Sequence, residues 1–310
     1  MSKILITGHK NPDNDAIMSA VAYAWLKNQI DDKNEYVACA LGSIPNETQA
    51  VLDKFGLEAP QKLEKIEAQD EKQKLILLDH NELSQTVDGI EHAEIVEILD
   101  HHRVADVQTP NPILFMNMPV GSTSTIVATR FQHYEIEPAK AYAAALLSAI
   151  MTDTVMLKSP TATKIDERIA KQLGEIVGED PIEFGKWVFN QRGTADFTNE
   201  DIVNRDTKKF EIGDKIVYIG QFETVDKAPF MDRIPDIRAL MQSFIKEHKG
   251  DAMVLLITDI LEEGSQVLAV GELGFIEDAL KVSFTDEGIW MPGVLSRKKQ
   301  VAAPLIESAN

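Results

Sequence analysis

Residues 8–15, Gly8-His9-Lys10-Asn11-Pro12-Asp13-Asn14-Asp15, decide how this chain is read. They follow a short apolar run, residues 3–7, of strand length, and lead into residues 16–29, an apolar stretch of helical length. The pattern recurs. Residues 36–41, 74–78 and 95–99 are strand-like, and residues 48–55 read as a helix that stops at Gly56, where a left-handed cap is tolerated. Strands alternating with helices predict an α/β domain over residues 1–190, built on a parallel sheet with helices on both faces. From residue 122 to about residue 190 the pattern is almost wholly helical, including 139–151 and 165–177.

The pattern lapses into a polar stretch around residues 191–197, which reads as a linker. Beyond it, residues 215–222, 252–260 and 265–271 are strand-like, with a helix at 234–248 between the first two. Residues 198–310 are therefore expected to form a smaller, mixed α/β domain. A length of 310 residues agrees with two domains rather than one core.

Composition narrows the function. Fifty acids against 31 bases leave a net charge of −19, a field that repels nucleic acid, and no basic stripe is interleaved with aromatics. Residues 107–129 carry one acid-free, base-free run, but Pro110, Pro112, Pro119 and Gly121 break it, so it is not a membrane span. The N-terminus lacks the long apolar region of a secretory signal. The single cysteine, Cys39, sits in an apolar run and reads as a small buried residue. A cytoplasmic protein is expected. The same negative field would repel a small polyanion, so an anion site here needs metal ions or clustered Lys and Arg.

The histidines and acids are not scattered. His9, Asp13 and Asp15 follow the first strand; Asp79 and His80 follow the strand 74–78; Asp100, His101, His102 and Arg103 follow the strand 95–99. The carboxyl ends of parallel strands are where ligands bind. Asp153 lies just past the helix 139–151, and only folding could bring it to that edge. Mixed imidazole and carboxylate ligands suit Mn²⁺, Fe²⁺, Co²⁺ or Zn²⁺ better than Mg²⁺. Two such ions a few ångströms apart can hold a hydroxide and stabilise in-line displacement at phosphorus. Taken singly, each of these motifs is better explained otherwise, residues 9–15 as a turn with a helix cap and Asp100-His101-His102 as a polar strand end. Together, at successive strand ends, they point to a metal centre. Gly121-Ser122-Thr123-Ser124-Thr125 precedes a helix and reads equally as an anion-binding turn or as simple capping.

The densest basic cluster is Ser296-Arg297-Lys298-Lys299-Gln300, with Lys208-Lys209 as a smaller one. Arg suits bidentate phosphate contacts and Lys supplies a point charge.

These motifs together resemble the family II inorganic pyrophosphatases of the DHH phosphoesterase superfamily, over nearly the whole length. The segments that carry the resemblance are 8–15, the Asp79 segment, Asp100-His101-His102, Met151-Thr152-Asp153-Thr154 and 296–300. The resemblance implies a DHH catalytic domain followed by a DHHA2-type domain that binds substrate. It implies that His9 and Asp13 bind one manganese, that Asp15, His101 and Asp153 bind the other, and that Asp79 bridges them. His102 would contact the substrate phosphate as a hydrogen-bond or proton donor, and Lys208, Arg297 and Lys298 would hold the phosphates, with Lys209 competing for the part of Lys208. It further implies two Mn²⁺, replaceable by Co²⁺, an additional Mg²⁺ that enters with pyrophosphate, attack by a metal-bridging hydroxide, domain closure about the linker, and a homodimer. Asn14 and Ala16 stand where many relatives have Thr and Ser. The alternatives are another DHH phosphoesterase acting on short polyphosphates or oligonucleotides, and a non-catalytic metal-binding protein of the same fold.

Overall fold

A computed structural model describes residues 2–192, 197–204 and 206–308. The chain divides into two compact units, residues 1–192 and 193–310. Residues 193–196 of the linker expected on sequence lie outside the described residues.

The first unit is built on β1 (Ser2–Thr7), β2 (Asn34–Ala40), β3 (Gln61–Lys62), β4 (Gln73–Leu78), β5 (Ala93–Asp100) and β6 (Leu114–Asn117). They run in the order β3-β2-β1-β4-β5-β6, and every neighbouring pair is parallel. The helices are α1 (Asn14–Ile30), α2 (Asn46–Phe55), α3 (Thr123–His133), α4 (Lys140–Asp153), α5 (Lys164–Val177) and α6 (Pro181–Asn190). Alternation along the strands divides the core. Ala38 and Ala40 of β2 meet Ile17 and Val21 of α1 on one face. Leu5, Leu75, Leu77 and Ile98 point the other way, where connecting segments carrying Ile66, Val87 and Ile90 cover them. α1 is buried on nearly every side because α3 and α4 pack on it as well as the sheet.

Asp13 caps α1, its Oδ1 accepting from the Ala16 amide at 2.9 Å. The helix thus starts two residues before the apolar run that announced it. Gly8 allows the tight passage from β1 into α1: a Cβ there would lie 2.5 Å from the Ala16 oxygen and Cβ. The small side chain at Ala16 suits the same close approach.

The second unit contains α7 (Asn199–Asn204), β7 (Thr207–Ile212), β8 (Lys215–Thr224), α8 (Ala228–Met231), α9 (Ile234–Glu247), β9 (Ala252–Asp259), β10 (Gly264–Gly271), α10 (Gly274–Leu280), β11 (Ile289–Pro292), a single π-helical segment Arg297–Ala302, and α11 (Ala303–Ser308). Its sheet, β11-β10-β9-β8-β7, is mixed: only β8 and β9 are parallel. One face packs on α7, α8 and α9 through Ile202, Phe230 and Ile237. The other packs on α10, the π segment and α11 through Ile276, Val301 and Leu305. Four strands, β3, β6, β7 and β11, were not anticipated. β3 has two residues, and β6 and β11 have four each, with prolines before β6 and at the end of β11. β7 reads Thr-Lys-Lys-Phe-Glu-Ile, whose charges hide its alternation. No helix among the described residues is long and apolar enough to cross a membrane.

Candidate metal centre

The carboxyl ends of β1, β4 and β5 lie side by side, because β4 sits between β1 and β5. His9 and Asp13 come from the β1–α1 loop, Asp15 from the first turn of α1, Asp79 from the residue after β4, and His101 and His102 from the residues after β5. Asp153 arrives on the last residue of α4, which packs on α1. All seven residues singled out in the first unit therefore converge. Three trios offer ligand atoms within 4.8 Å of one another: His9, Asp13 and Asp79; Asp15, His101 and Asp153; and Asp79, His101 and His102. His80 joins none of them; it is buried, its Nδ1 is taken by the Leu78 carbonyl at 2.8 Å, and burial lowers its pKa.

Asp79 is central. It is 2% exposed and sits at φ 64°, a left-handed conformation that aspartate tolerates and most residues avoid. Its Oδ2 lies 3.5 Å from His9 Nε2, while its Oδ1 lies 3.3 Å from His101 Nε2. One carboxylate thus turns one oxygen to each side of the site.

The histidines are oriented by backbone oxygens. His9 Nδ1 is 2.8 Å from the Lys10 carbonyl and His101 Nδ1 is 3.0 Å from the Val120 carbonyl. A carbonyl only accepts, so each Nδ1 carries the proton and each Nε2 is left facing carboxylates. For His9 those are Asp13 at 3.7 Å and Asp79; for His101 they are Asp79 and Asp153, the latter at 3.4 Å. Asp153 Oδ2 is buried with no hydrogen-bond partner. A lone pair facing anions, beside an orphaned carboxylate oxygen, requires a cation between them. The donor set, imidazole nitrogen with carboxylate oxygen, fits a divalent metal of the manganese type.

Without metal, protons take the cation's place. Burial, reinforced by the charge of Asp79, pushes Asp15 up to about 7; burial with Asp15 and Asp79 pushes Asp153 up to about 9. Burial alone would lower the two histidines, but Asp13 and Asp79 hold His9 up to about 11, and Asp79 with Asp15 holds His101 up to about 10. Asp79 is itself buried, yet His101 and His9 keep its carboxyl well below the usual range. Crowding of this kind marks functional sites.

Several residues build the site through contacts that the sequence does not reveal: Asp100 and Asn14 stand out there only for their place in the motifs, and Asn81 not at all. Asp100 is wholly buried, and its Oδ1 accepts from the His102 amide at 3.0 Å and meets His102 Nδ1 at 2.9 Å. That hydrogen bond raises the pKa of His102, whose side chain is half exposed. Asn81 clamps the loop after β5: its Nδ2 donates to Asp100 Oδ2 at 2.5 Å and to the Arg103 carbonyl at 2.9 Å, and its Oδ1 accepts from the Ala105 amide. Asn14 donates to Ser148 and Thr152 of α4, both at 3.2 Å, and accepts from Thr48 of α2 at 2.9 Å. It ties the loop bearing Asp13 and Asp15 to the helix bearing Asp153. A cavity of about 540 Å³, lined by His9, Lys10, His102 and Arg103 among others, opens beside the cluster.

In the second unit, Arg297 opens the π segment, its guanidinium bound to Asp206 Oδ1 at 2.9 Å and to the Asp206 carbonyl. The Gln221 amide donates to the same carbonyl, so Asp206 continues the β7–β8 ladder. Lys208, two residues on, points to the same face as Asp206 by strand alternation. Lys209 points to the other face and is paired with Glu211 at 2.8 Å. Lys208 and Lys298 are exposed and have no ion-pair partner among the described residues.

The DHH family, N-terminal domain, matches residues 3–150, and the DHHA2 domain matches residues 191–309. The chain is 41% identical over 99% of its length to the manganese-dependent inorganic pyrophosphatase of Methanothrix thermoacetophila, of which 98% is covered. It is 39% identical over 99% to that of Bacillus subtilis, again covering 99% of the relative. This chain belongs to the manganese-dependent inorganic pyrophosphatase family. A crystal structure from Methanococcus jannaschii, proposed to be a family II inorganic pyrophosphatase, is 37% identical and superposes with a TM-score of 0.58, covering 99% of both chains. The family II fold expected from the resemblance, a DHH domain followed by a DHHA2 domain, is the fold described above.

Proposed function

We propose that this chain hydrolyses inorganic pyrophosphate to two orthophosphates at a dinuclear manganese centre. The observation that carries the reading is Asp79, whose two oxygens face the two histidines from opposite sides. His9, Asp13 and one oxygen of Asp79 would hold one ion; Asp15, His101, Asp153 and the other oxygen would hold the second. Such ions would supply Lewis acidity, activating a water for attack at neutral pH and offsetting charge on the phosphoryl group. Co²⁺ would substitute, and an additional Mg²⁺ would accompany the substrate.

The chain's own residues do the rest. His102, raised by its bond to Asp100 and half exposed, donates a hydrogen bond or proton to a phosphate oxygen. Lys208, Arg297 and Lys298 hold the phosphates. Lys208 and Lys298 carry the free positive charge that a substrate of the same sign as this chain needs, while Arg297, held on Asp206, would exchange that carboxylate for phosphate. Lys208 is preferred to Lys209, which Glu211 already neutralises. The first unit is then the catalytic domain and the second the substrate-binding one. A homodimer would form at β6, an edge strand with Leu114 and Phe115 exposed. A cytoplasmic setting accords with a single, buried thiol that burial pushes up to about 11.

The test is phosphate release by metal-stripped protein restored separately with Mn²⁺, Co²⁺, Zn²⁺ and Mg²⁺. Pyrophosphate is compared with tripolyphosphate and a dinucleotide. Mn²⁺ or Co²⁺ should restore pyrophosphate cleavage; failure with every metal, or preference for another substrate, would overturn the reading.

A further inference from the structure

The segment leading into α3 reaches three of the candidate ligands without being one. Thr123 and Ser124 are wholly buried. The Thr123 amide donates to Asp15 Oδ2 at 2.6 Å; the Ser124 amide and hydroxyl donate to Asp15 Oδ1 at 3.0 and 2.6 Å. The Thr123 hydroxyl donates to Asp79 Oδ1 at 3.0 Å. Three residues earlier, the Val120 carbonyl sets the ring of His101. The anion at this helix start is therefore Asp15, which removes the choice between anion site and simple capping: Ser122 caps the helix while its neighbours hold a carboxylate.

The segment cannot follow Asp15 if that side chain moves, because it is pinned from behind. Buried Asp166 accepts from the Gly121 amide at 2.9 Å and the Thr125 hydroxyl at 2.6 Å, and also from Thr163. A Cβ on Gly121 would meet Thr154 Cγ2 at 2.5 Å, so the chain passes here with no slack.

We infer that Thr123 and Ser124 are positioning residues that preset Asp15 and Asp79 for metal, holding the geometry of one ion site and of the carboxylate shared with the other. The inference rests on the reading of Asp15 and Asp79 as metal ligands. Hydrogen-bond partners of ligating carboxylates fix their direction and basicity, and their loss typically weakens metal binding about 10- to 100-fold.

The experiment is Mn²⁺ titration of metal-stripped protein by calorimetry, with thermal melts of the metal-free forms alongside. Ser124→Ala should bind Mn²⁺ about 10- to 100-fold more weakly, while Ser124→Thr, which keeps the hydroxyl, stays near wild type. Thr123→Val should show a smaller loss, through Asp79 alone. If Ser124→Ala does not fold, Thr123→Val decides the matter. Wild-type affinity in the variants that fold, or equal losses for Ser124→Ala and Ser124→Thr, would overturn the inference. Wild-type protein that takes up no Mn²⁺ would instead sink the ligand reading itself, so the two failures are distinct.

Discussion

Asp15, His101 and Asp153 sit on one side of Asp79 and His9 and Asp13 on the other, and the two sides are braced from different distances along the chain. Asp15 is 1% exposed and is held by residues 108 and 109 positions away. His101 is held by a carbonyl 19 positions away. On the other side, the Asp13 side chain is 55% exposed and its partner is Ala16; the partner of His9 is the next residue, Lys10. One half is set by tertiary packing and stays put; the other is set by a single loop and faces solvent. Under the proposed two-ion reading, the packed half would hold an ion for geometry and the open half one where water and substrate enter.

The largest effect should come from the residue the halves share. Asp79→Asn removes the negative charge common to the two proposed ion sites and places an amide against the Thr123 hydroxyl. Turnover should drop on the order of 1000-fold, with both Mn²⁺ equivalents weakened in a binding titration. Loss of only one equivalent would mean the carboxylate is not shared.

Next comes a paired substitution across the divide. Asp15→Asn turns an NH₂ toward donors that need an acceptor, so it should cost about 1–3 kcal/mol of metal-free stability in addition to metal affinity. Asp13→Asn retains the helix cap, since Asn caps as well as Asp, and should leave stability within about 0.5 kcal/mol. Denaturant melts of the two variants check this. Equal costs would erase the distinction between a packed half and a local one.

The legibility of the site follows the same divide. Strand ends bearing His and Asp could be found because the ligand chemistry lies within a few residues of each apolar run. His9, Asp13, Asp79 and His101 were visible in that way. The braces were not: Asp166 and Asn81 act across long separations from ordinary cap or loop positions. Thr123 stands in a turn that reads equally as anion-binding or capping, with nothing to say that its partners are Asp15 and Asp79. The fold was legible where strands are long and apolar, as in β1, β4 and β9. It was hidden in β6 and β7, where an edge position or alternating charge replaces the apolar signal.

The proton balance gives a test of the crowding that both halves share. The folded, metal-free site keeps protons on Asp15 up to about pH 7, on Asp153 to about 9, and on His101 and His9 to about 10 and 11. The unfolded chain releases them near pH 4 for carboxyls and about 6.5 for imidazoles. The folded form therefore binds more protons than the unfolded form across neutral pH, and its stability must fall as pH rises. Asp79, held low, works in the opposite sense only below about pH 4. Melting temperature of the stripped protein should decline by several degrees from pH 6 to pH 9, and Mn²⁺ uptake should release protons. A rising melting temperature over that range would contradict the crowding.

The smallest effect concerns how Asp153 is held. Two residues beyond it, Val155, Met156 and Leu157 take φ of 48°, 52° and 64°, a left-handed turn made without glycine. Such a turn costs about 1–2 kcal/mol per residue, and a β-branched valine is the worst fitted to it. Buried Thr154 sustains it, its hydroxyl accepting from the Leu157 amide at 3.0 Å and its carbonyl from the Ser159 amide at 2.8 Å. The Met156 amide returns to the Met151 carbonyl at 2.7 Å and closes α4 beside Asp153, the proposed ligand. Strain retained beside a ligand is expected where geometry matters more than stability. Val155→Gly relieves it but loosens the unfolded chain, so the net gain in stability should be at most about 1 kcal/mol. Mn²⁺ affinity should decline slightly over the same substitution, because the turn that fixes Asp153 has lost its stiffness. Stability and affinity moving in opposite directions would place Asp153 firmly in the packed half; a fall in both would mean the valine is held by its contacts and the turn stores no strain.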